Sequence, residues 1–290
     1  MKPLAGILVV DFTRYLPGPF ASRELLELGA RVVRVEPPGG DPLRASAPDW
    51  HEELNAGKES VIVDLKEDIT PALDLLAQAD VILESFRPGV ASRLGIGPER
   101  APETAVYCSI TGFGVDGRHA QRAGHDLNYL GWAGVLEHTA PALPPVPIAD
   151  LGAGALGAVT KILAALLERE KTGRGQHVVI SMTHNAQRLA SRPLLTGGLA
   201  CYRIYGTADS RWLTLAALEP AFWQRLVELL DRPDLADRHY ADDQESLATD
   251  LAAVFATRPL AEWLELFDGE DVCVGPVATR AEAATDLLSR

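Results

Sequence analysis

Short apolar runs alternate with amphipathic stretches through the N-terminal half of the chain. Residues 6–11 (GILVVD) form an apolar, β-branched run that is typical of a buried strand. An amphipathic stretch follows at 21–28, and Gly29 is placed to end that helix. Residues 31–36 (RVVRVE) return as a second strand. This pattern predicts a β-α-β unit with two parallel strands.

The same alternation continues along the chain. Further strands are predicted at 61–65, 81–84 and 106–110, with a helix at 70–79. The predicted fold class is therefore α/β, with a doubly wound, Rossmann-like large domain. The turn after the first strand reads LPGP, and the motifs GxGxxG, GxxxxGK[ST] and GxSxG are absent from the sequence. The fold pattern alone thus names no ligand.

A long Ala/Leu-rich helix is predicted at 151–171, and a strand at 176–181 closes a large domain over residues 1–181. A smaller α/β domain is predicted over 182–290. Its predicted elements are a strand at 212–216 and helices at 221–230, 244–256 and 260–267.

The charge balance restricts the partners. Among 290 residues, 40 are acidic and 27 basic, which gives a formal charge of −13. Such a surface repels nucleic acid and anionic membrane, so neither is an expected partner. Three cysteines without a CxxC motif or a Cys/His cluster predict no metal site and a reducing compartment. The short apolar run at the N-terminus is interrupted by charges and prolines, so the expected location is the cytoplasm.

Three acid–base residues stand at predicted element boundaries. His125, next to Asp126, precedes a predicted helix at 127–137, where a histidine can face a cleft and transfer protons. Asp150 precedes the small-residue start of the long helix, which suits either an N-cap or a nucleophile or base. Glu219 follows a strand and either ends it or orients a catalytic histidine. Taken singly, each residue is more often structural.

Basic residues in the N-terminal half are a further feature of the sequence that bears on the ligand. Arg34, Arg44, Lys58, Arg87 and Arg93 lie in the N-terminal half, several of them in loops after strands. In an acidic protein, basic residues at strand ends suggest a phosphate site, although each one alone is more often a solvated surface charge.

Together, these segments resemble the family III CoA-transferase (CaiB/BaiF) superfamily, and most closely its α-methylacyl-CoA racemases. The resemblance runs along almost the whole chain in a fixed order. It rests on GILVVDFTRYLPGPF, NAGKESVIVDLK, ADVILESFRPGV, YCSITGFG, AGHDLNYLGWAGVL, PPVPIADLGAG and YGTADSRWLTLAALEP.

The resemblance implies roles for the three acid–base residues. Transferases of the superfamily use an aspartate at the position of Asp150 to form an acyl anhydride. Racemases add a histidine in AGHD, here His125, and a glutamate in an IEP-like motif, here Glu219. The expected function is therefore an acyl-CoA racemase that inverts the α-carbon of a 2-methylacyl-CoA by two-base proton transfer. Backbone N–H groups near the helix start of Asp150 are candidate enolate stabilisers.

The resemblance also implies that coenzyme A enters as part of the substrate, with no redox or metal cofactor. The residues expected to bind it are Arg34, Lys58 and Arg87 at the phosphates and adenine, Gly112, Phe113 and Gly114 near the pantetheine, and Asp126. An interlocked homodimer is implied as well. Relatives continue beyond the position of Arg290 and residues 182–202 look abbreviated, which implies a more open site, a different mode of dimer linkage or a changed substrate.

Two alternatives remain open. The first is a family III CoA-transferase that works through an aspartyl anhydride and thioester at Asp150. The second is a non-catalytic homologue that binds CoA thioesters. His125 separates the racemase from the transferase, because the anhydride route has no need of a histidine there.

Overall fold

The computed structural model describes residues 2–137, 139–190 and 197–287, with side chains as far as residue 285. The chain separates into two compact units, Met1–Ala190 and Ser191–Arg290. The predicted division lay at 181/182. The contacts place residues 182–190 in the first unit, because Met182 and Ala186 belong to its hydrophobic core.

The first unit contains a six-stranded sheet in the order β3-β2-β1-β4-β5-β6, and every pair of neighbours is parallel. The strands are β1 (Leu8–Asp11), β2 (Arg31–Glu36), β3 (Glu59–Ile62), β4 (Val81–Glu84), β5 (Val106–Thr111) and β6 (His177–Ser181). The order reverses direction at β1, which leaves a crevice between the carboxyl ends of β1 and β4.

Helices cover both faces of this sheet, which confirms the predicted doubly wound α/β fold. They are α1 (Pro17–Glu27), α2 (Leu43–Ser46), α3 (Pro48–Asn55), α4 (Thr70–Leu76), α5 (Val90–Arg93), α6 (Asp126–Trp132), a π-helix (Ile148–Leu156), α7 (Gly157–Thr172) and α8 (Met182–Leu189). One face packs against α1, α6, α7 and α8, and the other against α4 and α5. The central strands β1 and β4 are apolar up to their last residue, because both of their faces are buried.

Three predicted elements differ from the observed ones. The third strand begins at Glu59 rather than residue 61, and as an edge strand it leaves Ile62 72% exposed. The helix after His125 ends at Trp132, shortly before Gly134 adopts a left-handed φ of 76°. The long helix begins earlier than predicted and winds first as a π-helix, where a side chain on Gly154 would collide with Met182 at 3.0 Å.

The combined helix Ile148–Thr172 is long and apolar enough to cross a membrane by length and composition alone. In the first unit it is a core helix, since Ala158, Ile162 and Ala165 pack with the sheet.

The second unit has an antiparallel sheet in the order β7-β8-β9. Its elements are β7 (Tyr202–Gly206), β8 (Trp212–Ala216), α9 (Pro220–Leu229), α10 (Gln244–Phe255), α11 (Leu260–Leu266), β9 (Val274–Pro276) and α12 (Arg280–Leu287). Leu213, Trp223 and Phe255 form the centre of a separate hydrophobic core. This unit is therefore a small α/β layer with its own interior.

Candidate active site

A cavity of about 470 Å³ opens at the carboxyl edge of the parallel sheet, and both His125 and Asp150 line it. Its walls come from the segments that follow β1, β4 and β5, joined by the start of α6 and of the π-helix. This is the crevice where open α/β sheets bind ligands. The fold thus brings together two of the three predicted acid–base residues, although 25 positions separate them in the sequence.

Asp150 lies in the first turn of the π-helix, partly buried at the cavity wall. Burial, together with the nearby charge of Asp126, raises the pKa of its carboxyl group to about 7. Both protonation states are therefore accessible near neutral pH, which is what a group that gives and takes protons requires.

Asp126 is the first residue of α6, and its Oδ1 accepts the Asp150 backbone N–H at 2.9 Å. Burial raises the pKa of Asp126, while hydrogen bonds from the N–H groups of Asp150 and Ala149 lower it. Asp126 thus caps the helix that carries Asp150. Because Asp126 accepts the Asp150 N–H, the prediction that N–H groups beside Asp150 stabilise an enolate is wrong for that donor.

His125 is the N-cap residue of α6, with extended backbone. Its N–H donates to Asn128 Oδ1 at 3.1 Å, which fixes the backbone at the helix start. The imidazole is exposed and lines the cavity. The ring lies edge-on to Tyr15, with 6.4 Å between centroids. The exposed ring can therefore meet a substrate in the cavity.

Glu219 belongs to the second unit, where it is the N-cap residue of α9 and its carbonyl accepts the Trp223 N–H. Its role in orienting His125 stays a prediction.

Two glycines shape the cavity wall around Tyr129. A Cβ atom on Gly112 would lie 2.5 Å from Tyr129 Cε1, and one on Gly124 would lie 2.7 Å from the same atom. The Tyr129 hydroxyl donates to the Gly124 carbonyl. Gly112 lines the cavity, whereas Phe113 packs in the core and lines a separate cavity of about 210 Å³. The predicted contacts of both residues with the pantetheine stay predictions. The predicted contact of Gly114 stays a prediction.

Replacing Gly112 with alanine is expected to destabilise the fold by roughly 1–3 kcal/mol, because the new methyl group must displace the Tyr129 ring. Urea denaturation measures the loss. Gly39→Ala is the control, since a Cβ there meets no atom within 4 Å and the backbone of Gly39 is not left-handed. Equal losses for the two variants would show that the Tyr129 contact is not the cause.

The structure contradicts the prediction that Arg34 binds a phosphate of CoA. It is only 3% exposed and pairs with Glu36 at 3.0 Å and Asp41 at 3.3 Å. Its charge is therefore satisfied inside the protein and cannot reach a phosphate. Lys58 is similarly engaged, since its Nζ donates to the Pro19 carbonyl at 2.7 Å, and burial lowers its pKa to about 8.

Arg87 is exposed and lines the cavity, and its predicted contact with the CoA phosphates stays a prediction. Arg14 and Arg122 line it too, and the sequence pattern missed both. Arg14 comes three residues after β1, and Arg122 comes three residues before His125. These positions in the sequence could have marked both arginines as cavity residues. Within the described part of the chain, none of these three arginines forms a salt bridge.

A neighbouring cavity of about 270 Å³ shares Arg14 and Phe86 with the first. Apolar side chains form most of its wall, and Lys66 adds a second cation. An apolar slot beside cations suits a planar base attached to phosphates. Among the residues whose placement is described, no cluster of three or more His, Cys, Asp or Glu side chains is arranged to hold a metal ion.

The fold and cavity together define a class: a parallel α/β protein with acid–base groups beside unpaired cations at the switch point of its sheet. Comparison with known proteins gives the family. The family model for CoA-transferase family III matches residues 4–288, and the chain belongs to this family.

Relatives with different reactions are similar to the chain. Human alpha-methylacyl-CoA racemase is 35% identical, over 96% of this chain and 78% of the relative. Succinyl-CoA:glutarate CoA-transferase from Mus musculus is 32% identical, over 96% of this chain and 72% of the relative. The crystal structure of Rv3272 from Mycobacterium tuberculosis superposes with a TM-score of 0.83 at 30% identity, covering 99% of this chain and 86% of that one. The family is thus established, and it includes both racemases and transferases.

Proposed function

We propose that the protein is an acyl-CoA racemase or epimerase that inverts the α-carbon of a 2-methylacyl-CoA-type thioester. The observation that carries the proposal is that His125 and Asp150 line one cavity, with the Asp150 pKa raised to about 7. Inversion requires one group to remove the α-proton and another to deliver a proton to the opposite face. A histidine and a near-neutral carboxyl group suit these two tasks.

The intermediate enolate needs donors aimed at the thioester oxygen. The first turn of α6 begins at this cavity and has N–H groups without helical partners. Asn128 also lines the cavity, and its Oδ1 is occupied by the His125 N–H, so its Nδ2 is the atom left to donate. We assign the enolate to these donors in place of those beside Asp150.

The coenzyme A portion of the substrate explains the unpaired cations. The protein carries a formal charge of −13, yet Arg14, Arg87 and Arg122 converge on one cavity. Converging guanidinium groups bind phosphates through charge-assisted hydrogen bonds. We place the diphosphate among these arginines and the adenine in the neighbouring apolar slot.

Replacing Arg87 with glutamine is expected to weaken CoA binding about 10-fold, because one charged hydrogen-bond donor to phosphate is lost. Isothermal titration with CoA at two salt concentrations measures this, and the variant should show a weaker salt dependence. Arg100→Gln is a matched control, since Arg100 is also exposed and lies before β5, away from the carboxyl edge of the sheet. Equal affinities for wild type and Arg87→Gln would remove this residue from the phosphate site.

The main rival is CoA transfer. In that reaction the Asp150 carboxylate attacks the thioester carbonyl, CoA thiolate leaves, and a mixed anhydride forms. The CoA thiolate then attacks the aspartyl carbonyl, which releases the donor acid and leaves an aspartyl thioester. The acceptor carboxylate attacks this thioester, which forms a second anhydride and releases the CoA thiolate again. The thiolate finally attacks the acceptor's acyl carbonyl, which gives the new acyl-CoA and frees the Asp150 carboxylate. Asp150 alone is sufficient for this route, and relatives named as transferases are nearly as similar to the chain as the racemases. The presence of His125 in the same cavity favours the racemase.

One reaction mixture separates these functions. The protein is incubated with a single enantiomer of a 2-methylacyl-CoA and a ¹³C-labelled carboxylic acid. Loss of stereochemistry without label in the thioester supports the racemase, whereas label in the thioester with retained stereochemistry supports the transferase. CoA binding with neither change supports a non-catalytic homologue. A homodimer and a cytoplasmic location complete the proposal, and both rest on the family resemblance and the sequence pattern.

A further inference from the structure

Tyr15 has an unusual backbone at the edge of the catalytic cavity. Its φ of 66° lies in the left-handed region, which residues other than glycine rarely adopt. The residue follows β1, lines the cavity, and leaves 47% of its surface exposed. Strained conformations of this kind persist where the surrounding structure enforces them, often at functional sites.

A buried acid enforces this conformation. The Tyr15 N–H points between the two carboxylate oxygens of Asp41, at 3.2 Å from each. Asp41 is 2% exposed, also accepts the Leu43 N–H at 3.0 Å, and pairs with Arg34 Nη2 at 3.3 Å. The buried Arg34–Asp41 pair therefore holds the Tyr15 backbone in place and does not bind a ligand.

The fixed backbone directs the ring to His125. The Tyr15 and His125 rings meet edge-on, with an interplanar angle of 80°. The Tyr15 ring lies against one side of the exposed imidazole, so this contact limits how the imidazole can turn.

We propose that Tyr15 is a positioning residue, which holds the His125 imidazole in the orientation for proton transfer at the α-carbon. This inference rests on the proposed function. A base that is free to rotate spends little time in the reactive geometry, so loss of the Tyr15 ring should slow only the proton transfer at His125. Proton transfer at Asp150 should remain, because Asp150 is held separately by the Asp126 cap.

The experiment measures the loss of deuterium from the α-carbon of each enantiomer of a 2-methylacyl-CoA in ordinary water. His125→Ala identifies which enantiomer presents its α-deuterium to His125. Tyr15→Asn removes the ring but keeps a residue that tolerates left-handed backbone, and Tyr15→Phe keeps the ring. CoA affinity and the melting temperature are measured for both variants.

Tyr15→Asn is expected to slow exchange from the His125-facing enantiomer by about 10- to 100-fold. With the other enantiomer, the Tyr15→Asn variant should exchange deuterium near the wild-type rate. Tyr15→Phe should keep the wild-type rate with both enantiomers. Equal slowing of both enantiomers would show a general role in folding or binding and overturn the inference, as would unchanged rates. Absence of exchange in the wild-type protein would instead overturn the proposed function, and this inference with it.

Discussion

Replacing His125 with glutamine is expected to slow inversion of the α-carbon by about 10²–10⁴-fold, the usual contribution of one general acid–base group. The side chain is exposed and lines the cavity, and glutamine keeps a polar side chain at the start of α6, so the fold should remain intact. CoA binding should persist, because the unpaired arginines that we assign to the phosphates are unchanged. Chiral chromatography of the product thioester measures the rate.

A second histidine provides the control for this variant. His177 lies on β6, bonds to Ser109 Oγ at 2.9 Å and does not line the cavity, so His177→Gln should racemise at the wild-type rate. In His125→Gln, exchange of the α-proton with solvent should survive for the one enantiomer whose proton faces Asp150. Inversion at the wild-type rate in this variant would rule out the two-base mechanism.

Replacing Asp150 with asparagine is expected to abolish both racemisation and any CoA transfer, since each mechanism requires the carboxylate. The same change should stabilise the protein at alkaline pH. The pKa of Asp150 rises from 3.8 to about 7 on folding, so between these values the folded state binds the extra proton. Wild-type stability therefore falls as the pH rises from about 4 to about 7 and stays reduced above that range.

Asparagine carries no charge, so Asp150→Asn does not lose this part of the stability as the pH rises. The free energy of unfolding of the variant, minus that of the wild type, should be larger at pH 8 than at pH 4 by on the order of 2–4 kcal/mol. Urea denaturation of both proteins at the two pH values gives the comparison. Asp64→Asn is a control on the first unit, because Asp64 lies outside the catalytic cavity. A stability difference between Asp150→Asn and wild type that does not change with pH would mean that burial does not raise the Asp150 pKa.

The sheet was predictable from the sequence because its strands are buried on both faces. The run at 81–84 is apolar up to Glu84, the run at 31–36 places three valines among charged residues, and both strands occur at the predicted residues. The edge strand β3 was misplaced by two residues, since an exposed edge has no continuous apolar pattern to mark it. The π-helical start of the long helix was also beyond prediction, because it depends on the close packing of Gly154 against Met182.

The catalytic pair was predictable for a different reason. His125 and Asp150 were selected by ordered motifs, and their meeting in one cavity follows from the parallel sheet. The basic residues were less predictable. Arg34 follows the expected pattern of a cation near a strand end, but the turn after β2 folds Asp41 back onto it. The sequence does not reveal that pairing, nor the Tyr15 backbone that it holds.

The central claim, that His125 and Asp150 exchange the α-proton of an acyl-CoA, is tested most directly by deuterium labelling. Each enantiomer of a 2-methylacyl-CoA is incubated with the wild-type protein in D₂O, and the product is analysed by mass spectrometry and chiral chromatography. The expected result is one deuterium at the α-carbon, with both enantiomers converging on the same mixture. Retention of configuration and of the α-proton in both substrates, at protein concentrations that bind CoA, would contradict the proposal.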